Sequence, residues 1–440
     1  MQEQRISKKA TQAIGVPPLS LLNGERGPRP SLSGTEMISW ILQGGVLISA
    51  VLILSGMFLL PTRPGGLSTQ RLLNFPQTLS DVLAGLLIMR PQAIISLGLF
   101  CLIATPVMRV AASIFTFARE RDHIYVLITA LVLAILLCSI FILGATVTPH
   151  LPAGAHEIHY SLLIVVCIFL GSIGAGMLGS LVGLGGGILI VPLLTIVFRL
   201  PIDFAIGASI ISVIATSSGA AAAYVRDHLT NLRVGMFLEL ATTIGAVSGA
   251  FLAGLLAPGL LGVIFGIILL ISIAPVVVKL GEDLPHGVKN DRLASWLRLN
   301  GAYPDRHART VVTYEVTRTP WGLALMYVAG LISGLLGIGS GTFKVVAMDT
   351  IMRLPVKVSS TTSNLMIGVT AAASAGIYFS RGEILPLVAA PVALGILLGA
   401  FFGARLLPGM SNKALRLIFI PVIVLSALEM VLHGLGIGPF

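Results

Sequence analysis

The amino-acid sequence predicts an all-α polytopic membrane protein: an inverted repeat of two five-segment helical units with Gly-broken helices, preceded by three transmembrane helices. Composition, a ladder of apolar runs and an internal self-similarity carry this expectation. The chain has 440 residues, 55% hydrophobic and only 10% charged, against roughly 25% charged in soluble domains. Mean hydropathy is +0.97. A membrane helix takes about 20 apolar residues, so the apolar stock supports on the order of a dozen spans. A soluble enzyme, a disordered scaffold and a nucleic-acid binder are excluded. The 28 Lys+Arg against 18 Asp+Glu leave a net charge of +10, which in a membrane chain marks cytoplasmic loops.

The elements follow in order. Residues 1–37 hold Lys8, Lys9, Arg26 and Arg29 among Pro and Gly, without the adjacent apolar stretch of a cleaved signal; a cytoplasmic tail is expected. Segment 38–150 is a three-helix membrane domain, with apolar runs near 38–60, 92–117 and 124–146. The loop 147–160 carries no Lys or Arg. Segment 151–278 is the first repeat, with runs near 161–182, 186–199, 203–225, 234–256 and 260–278. Segment 279–319 holds Lys279, Lys289, Arg292, Arg298, Arg306, Arg309 and Arg318 and reads as a cytoplasmic linker that folds as a small amphipathic cap. Segment 320–440 is the second repeat, with runs near 321–336, 340–352, 356–379, 384–406 and 412–433. With every run crossing, the positive-inside rule puts the N-terminus and 279–319 in the cytoplasm and 147–160 outside a cell (plasma) membrane; a re-entrant 186–199 would instead export the basic linker, so the all-crossing arrangement is favoured. Cys101, Cys138 and Cys167 sit inside apolar runs as small hydrophobes. Neither a cofactor nor a metal is expected, and His150, His156 and His159 read as solvated loop residues.

The self-similarity is the most informative feature. Gly183–Gly187 (GLGGG) matches Gly337–Gly341 (GIGSG) at an offset of 154. Arg199-Leu200-Pro201 matches Arg353-Leu354-Pro355, and Tyr224 matches Tyr378, at the same offset. Beyond a loop of different length the offset is 150, aligning Gly245, Gly249, Ala250 and Pro258 with Gly395, Gly399, Ala400 and Pro408. Repeats of five segments, an odd number, enter from opposite faces. That inverted topology is common in secondary transporters, whose site lies near the midplane between the repeats.

Residues 160–434, through VGLGGGILIVPLL with RLPIDFAIGAS and GIGSGTFKVVAMD with RLPVKVSSTTSN, resemble the TauE/SafE sulfite exporter family. The resemblance implies export of a small sulfur-containing anion such as sulfite or an organosulfonate. The earlier stretch LGLFCLIATPVMRVAASIFTFARERDHIYVLIT is similar to a three-helix membrane domain of unknown function that often accompanies the family.

The glycine clusters point to the site. Glycines cost a helix roughly 1 kcal/mol each relative to Ala, and freed backbone must face protein or a cavity. Gly187 to Arg199 spans 13 residues, about 20 Å of helix against a hydrocarbon core of about 30 Å. Each short helix would therefore start inside the membrane, its unpaired N–H groups and partial positive charge available to an anion. The expected substrate-binding residues are Gly185, Gly186, Gly187, Ser209, Gly339, Ser340, Gly341, Lys344, Thr362, Ser363 and Asn364, with the two breaks facing each other across a polar cavity. Lys344 is the sharpest: a lysine at membrane depth faces a site or a partner, though snorkelling or a structural ion pair with Glu239 or Glu429 would also explain it. The run Ser359–Asn364 offers donors to sulfonate oxygens, or caps its helix. Glu239, Glu429 and Asp349 are the proton-coupling candidates; interfacial placement explains the first two as well, and pairing with Arg353 the third.

The reading is a secondary transporter that exports its anion by alternating access. The expected partners are a small anionic substrate and the lipid bilayer, with no nucleic acid; a homo-oligomer is compatible. The alternatives are an accessory or sensory membrane subunit without transport of its own and, least favoured, an intramembrane enzyme. Catalysis is not expected, because HExxH, GxSG and paired intramembrane aspartates are all missing from the sequence.

Overall fold

The computed structural model describes residues 34–61, 75–76, 79–143, 162–182, 186–226, 229–277, 288–305, 310–406 and 412–437. The loop 147–160, Gly183–Gly185 and most of the tail lie outside them. The protein is an all-α polytopic membrane protein, and seven described helices are long and apolar enough to cross a membrane. Large apolar side chains such as Leu47, Leu54 and Phe58 point outward, as a lipid-facing surface requires.

The N-terminal module comprises α1 (Gly34–Leu59), α2 (Leu79–Leu87), α3 (Pro91–Arg119) and α4 (His123–Leu137), which runs on into a wider π turn at Cys138–Leu143. The short α2 was not expected from the apolar runs. The first repeat holds α5 (Leu162–Val182), α6 (Gly187–Pro192, continued by a π stretch Leu193–Val197), α7 (Ile202–Arg226), α8 (Leu232–Ala253) and α9 (Pro258–Val277). The linker contributes α10 (Arg292–Trp296) and an antiparallel hairpin of β1 (Gly301–Asp305) and β2 (Thr310–Tyr314), so the cap is not purely helical. The second repeat holds α11 (Thr319–Leu336), α12 (Gly341–Val346, continued by a π stretch Ala347–Ile351), α13 (Val356–Ser380), α14 (Pro386–Leu406) and α15 (Asn412–Gly434).

The repeats match in backbone detail. Both short helices widen at the same relative place, since Leu193 and Ala347 are 154 apart, and Arg199 and Arg353 both adopt positive φ, 53° and 59°. The equivalent helices α7 and α13 run antiparallel: Gly207, early in α7, meets Glu383 just past α13, whereas Ser217, late in α7, bonds the carbonyl of Asn364 early in α13. Equivalents α9 and α15 are also antiparallel, with Gly259 beside Gly434 and Gly266 beside Ala427. The units are therefore inverted relative to each other. They also interlock: α5 packs along α14 and α8 along α11.

Glycine makes that interlock possible. A methyl on Gly249 would strike the Leu331 carbonyl oxygen and come within 2.8 Å of the Leu335 amide nitrogen. Gly399 meets α5 in the equivalent way, at Ile173 and Met177. Small residues let helix backbones approach this closely, the main source of packing energy within a bilayer.

The first two segments of each repeat pack against each other as a pair. Gly171 lies against Leu193 and Gly179 against Gly186, so α5 and α6 pack antiparallel as a hairpin. Gly322 meets Met352, and the Thr317 amide donates to the Met352 carbonyl at 3.2 Å, so α11 and α12 form the inverted counterpart. The second member of each pair is short: α6 with its π stretch covers Gly187–Val197, fewer residues than a lone straight span takes. The linker caps one end. There Tyr125 donates to the Leu297 carbonyl at 2.7 Å, and Asp291 caps α10 and accepts from the Thr319 amide at the head of α11 at 2.7 Å.

Gly249→Ala is expected to destabilise the protein by about 1–3 kcal/mol, because the atoms it meets are backbone and cannot swing away. A thermal melt of the purified chain measures this, and an unchanged midpoint would show that α8 and α11 can separate without cost.

Candidate functional site

The site is built where the two hairpin tips meet. Gly186 (φ 72°), Gly337 (φ 68°) and Gly339 (φ 72°) take left-handed conformations that a side chain resists, and Ser340 takes one despite its side chain, at φ 47°. These residues end each helix abruptly. The tips lie against the middle of the long helices: Gly187 and Gly339 both meet Val213, and Gly339 and Gly341 meet Ile367. Ser209 Oγ lies 3.0 Å from the Gly187 carbonyl and 2.9 Å from the Gly337 carbonyl, so one hydroxyl bridges tips from opposite repeats. Its equivalent, Ser363, donates to the Gly341 carbonyl at 3.2 Å. Tyr378 OH serves the orphan carbonyls at the end of α11, Gly334 at 2.9 Å and Leu335 at 3.0 Å. Among the described residues the tips therefore touch through Ser209.

Beside this junction lies a buried charge cluster. Lys344, on the first turn of α12, is 0% exposed and donates to Thr370 Oγ1 at 2.7 Å. Thr370 lies 3.4 Å from Thr242 Oγ1, which donates to the Glu239 carbonyl at 3.1 Å. The Glu239 carboxylate is also 0% exposed. It pairs with Arg109 through Nη2 at 3.3 Å, while Arg109 Nη1 donates to the Leu365 carbonyl. Lys344 and Arg109 both act electrostatically on Glu239, but only Arg109 is in salt-bridge contact with it. Two buried cations thus share one acid. Among the described residues, Arg109 Nε, Glu239 Oε1 and Ser340 Oγ are buried without a hydrogen-bond partner, and an ammonium has three donors of which Thr370 takes one.

The remaining expected residues are distributed more widely. Gly186, Gly187, Gly339, Ser340 and Gly341 form the tips, while Gly185 lies outside the described residues. Thr362 turns to the linker end, where its hydroxyl accepts from the Asn231 amide at 3.2 Å; it serves the α7–α8 connection and not the cluster. Asn364 is half-buried and its carbonyl is taken by Ser217 at 2.7 Å. Asp349 lies on the π stretch of α12 in electrostatic range of Arg353. Glu429 lines a separate, mostly apolar cavity of about 340 Å³ between the α5–α6 hairpin and α15. No cluster of described residues could hold a metal.

Arg109, Thr370 and Thr242 were missed by the sequence reading. The signal for Arg109 was present: it is a lone cation in the apolar run 92–117, the property that singled out Lys344. Thr370 and Thr242 are mid-helix threonines whose hydroxyls return to the backbone in most helices, and nothing in the sequence separates them from that majority.

The family described as "Sulfite exporter TauE/SafE" matches residues 167–430, and a protein family of unknown function, DUF1634, matches residues 38–141. The chain is similar to the probable membrane transporter protein YunE of Bacillus subtilis, 27% identical over 62% of this chain and 98% of that protein. It is also similar to the probable membrane transporter protein YdhB of Bacillus subtilis, 25% identical over 56% of this chain and 89% of that protein. The probable membrane transporter protein ORF9 of a Sinorhizobium species is 26% identical, over 61% and 92%. No solved structure matches the chain.

Ser209→Ala is expected to lower stability by about 1–3 kcal/mol, since it removes the donor that two buried carbonyls share, whereas Ser209→Thr keeps the hydroxyl. Melting of both variants against the parent measures the bridge. Equal midpoints for all three would show that other contacts hold the tips.

Proposed function

The chain belongs to the TauE/SafE sulfite exporter family, and we propose that it is a secondary transporter exporting a small sulfur-containing anion, sulfite or an organosulfonate, by alternating access. The carrying observation is Lys344: a fully buried ammonium at the junction of two broken hairpins, with a threonine hydroxyl as its partner and the nearby carboxylate engaged by Arg109. A buried cation in this state is costly when the site is empty and favourable when an anion joins it. Sulfite and sulfonate oxygens suit the ammonium, Ser340 and the tips, each offering acceptor lone pairs to donors. Inverted hairpins whose tips meet at Ser209 fit a mechanism in which one repeat rocks against the other around a central site.

Glu239 is the coupling acid in this proposal. Asp349 has Arg353 beside it and Glu429 faces another cavity, while Glu239 shares the cluster with Lys344. With Glu239 ionised the cluster holds two cations and one acid; protonation leaves two cations. Proton and anion occupancy therefore favour each other, and the coupling is reciprocal. The orientation follows the positive-inside rule, with the N-terminus and linker cytoplasmic in the plasma membrane and 147–160 outside.

Three outcomes are expected. Purified protein in liposomes carries sulfite, sulfoacetate or taurine when these are offered side by side; no flux of any of them would sink the sulfur-anion reading. Lys344→Met abolishes that flux with little loss of expression, and Lys344→Arg keeps part of it; wild-type flux in Lys344→Met would remove the residue from the site. Single cysteines in the linker are labelled only from the cytoplasmic side, and labelling from outside would reverse the orientation.

A further inference from the structure

Arg109 belongs to the N-terminal module, outside the segment 167–430 that matches the transporter family and inside the segment 38–141 whose family has no known function. Its side chain is nevertheless 1% exposed and ends against both repeats, at Glu239 of α8 and at the Leu365 carbonyl of α13. The approach is prepared on both sides. Pro106, three residues earlier on α3, lies close to Gly368 of α13, where an added methyl would be 3.6 Å from its ring. Gly376 makes room for Ile140 beyond α4, and Ser139 donates to the Ala373 carbonyl. At the linker end Asp122 pairs with Arg233 at 3.1 Å. The module is thus packed into the transporter core along its length. YunE is matched over 98% of its length by 62% of this chain, so a chain of that kind has no room for a second module of this size.

We propose that the N-terminal module is a working part of the transport site, with Arg109 the positioning residue that holds the Glu239 carboxylate away from Lys344 and so leaves the ammonium open to the anion. The proposal rests on the reading of Lys344 as the anion-binding group. Among the described residues, the charged groups acting on Glu239 are Arg109, from α3, and Lys344, from α12. One buried carboxylate between two cations pairs with whichever is better placed, because an isolated charge in a low-dielectric interior is far costlier than a paired one. Arg109 offers a planar fork that anchors on the Leu365 carbonyl with one nitrogen and on Glu239 with the other. Without it, Lys344 is the remaining cation, and a carboxylate on the ammonium competes with any substrate anion for the same donors. The family of transporters matched here thus gains, in this chain, a cation supplied from a separate module.

The test is sulfite binding to the full-length protein in lipid nanodiscs, measured by titration calorimetry with thermal melting alongside. Arg109→Gln is expected to weaken sulfite binding about tenfold or more. Arg109→Lys, which keeps the charge but not the fork, falls between wild type and Arg109→Gln. Arg109→Gln combined with Glu239→Gln returns the affinity to the wild-type range, because no carboxylate is left to occupy Lys344. That recovery separates positioning from packing, since the double variant restores neither the guanidinium nor its bond to Leu365. Wild-type affinity in Arg109→Gln overturns the proposal, and so does a double variant as weak as the single one. If Arg109→Gln cannot be purified, the double variant decides: affinity in the wild-type range supports the proposal, and affinity about tenfold or more below wild type overturns it. Loss of binding in Lys344→Met with wild-type binding in Arg109→Gln defeats this inference alone; wild-type binding in Lys344→Met defeats the underlying reading.

Discussion

Hydrocarbon offers no hydrogen bonds, and this constraint shapes the whole molecule. A helix that breaks inside the membrane exposes carbonyls and amides that lipid cannot satisfy. The protein breaks two, at Gly186 and at Gly337–Ser340, so each break has to be enclosed by the other repeat. Ser209 reaches across the repeats to the Gly337 carbonyl, while Tyr378 serves the Gly334 carbonyl of its own repeat. The glycine contacts of α8 with α11 and of α5 with α14 follow from the same requirement. Bulky interfaces would hold the repeats apart and leave the tips exposed.

A second cost is placed on top of the first. Arg109, Glu239 and Lys344 are all out of reach of solvent, where a soluble protein would seldom leave charges. Their mutual compensation spans three elements from three parts of the chain: α3 of the N-terminal module, α8 of the first repeat and α12 of the second. The repeat symmetry does not extend to them. The residue equivalent to Lys344 is Ile190, and Arg109 lies outside both repeats. Symmetry thus supplies the scaffold, while charge is placed on one side of it, giving the two hairpins different chemistry despite nearly the same backbone.

Some of this was legible in the residues. Composition fixes the membrane class because the area to be covered by lipid must be apolar, whatever the fold. The 154-residue offset made the inverted repeats readable, and GLGGG with GIGSG marked the breaks, because local backbone preference acts over a few residues. Lys344 stood out because a single charge in an apolar run is costly by itself. The pairing of α5 with α6 and of α11 with α12 was not readable, because hydropathy does not say which helix packs on which. Contacts such as Gly171 with Leu193 and Gly322 with Met352 establish it.

Tertiary structure alone decided which polar groups share a space. Thr362 and Ser363 are neighbours in sequence, yet one serves the connection at Asn231 and the other the tip at Gly341, because successive residues on a helix point about 100° apart. Glu239 was read as a partner for Lys344 or as interfacial, and it is engaged by Arg109, 130 residues away in the chain. Such a pairing depends on how helices from different modules pack, and no local preference encodes it. What the sequence by itself determined is the apolar frame, the repeat and the places where helices fail; the long-range approach of buried charges, whose energy is set by distance and by exclusion of water, exists only once those helices are assembled.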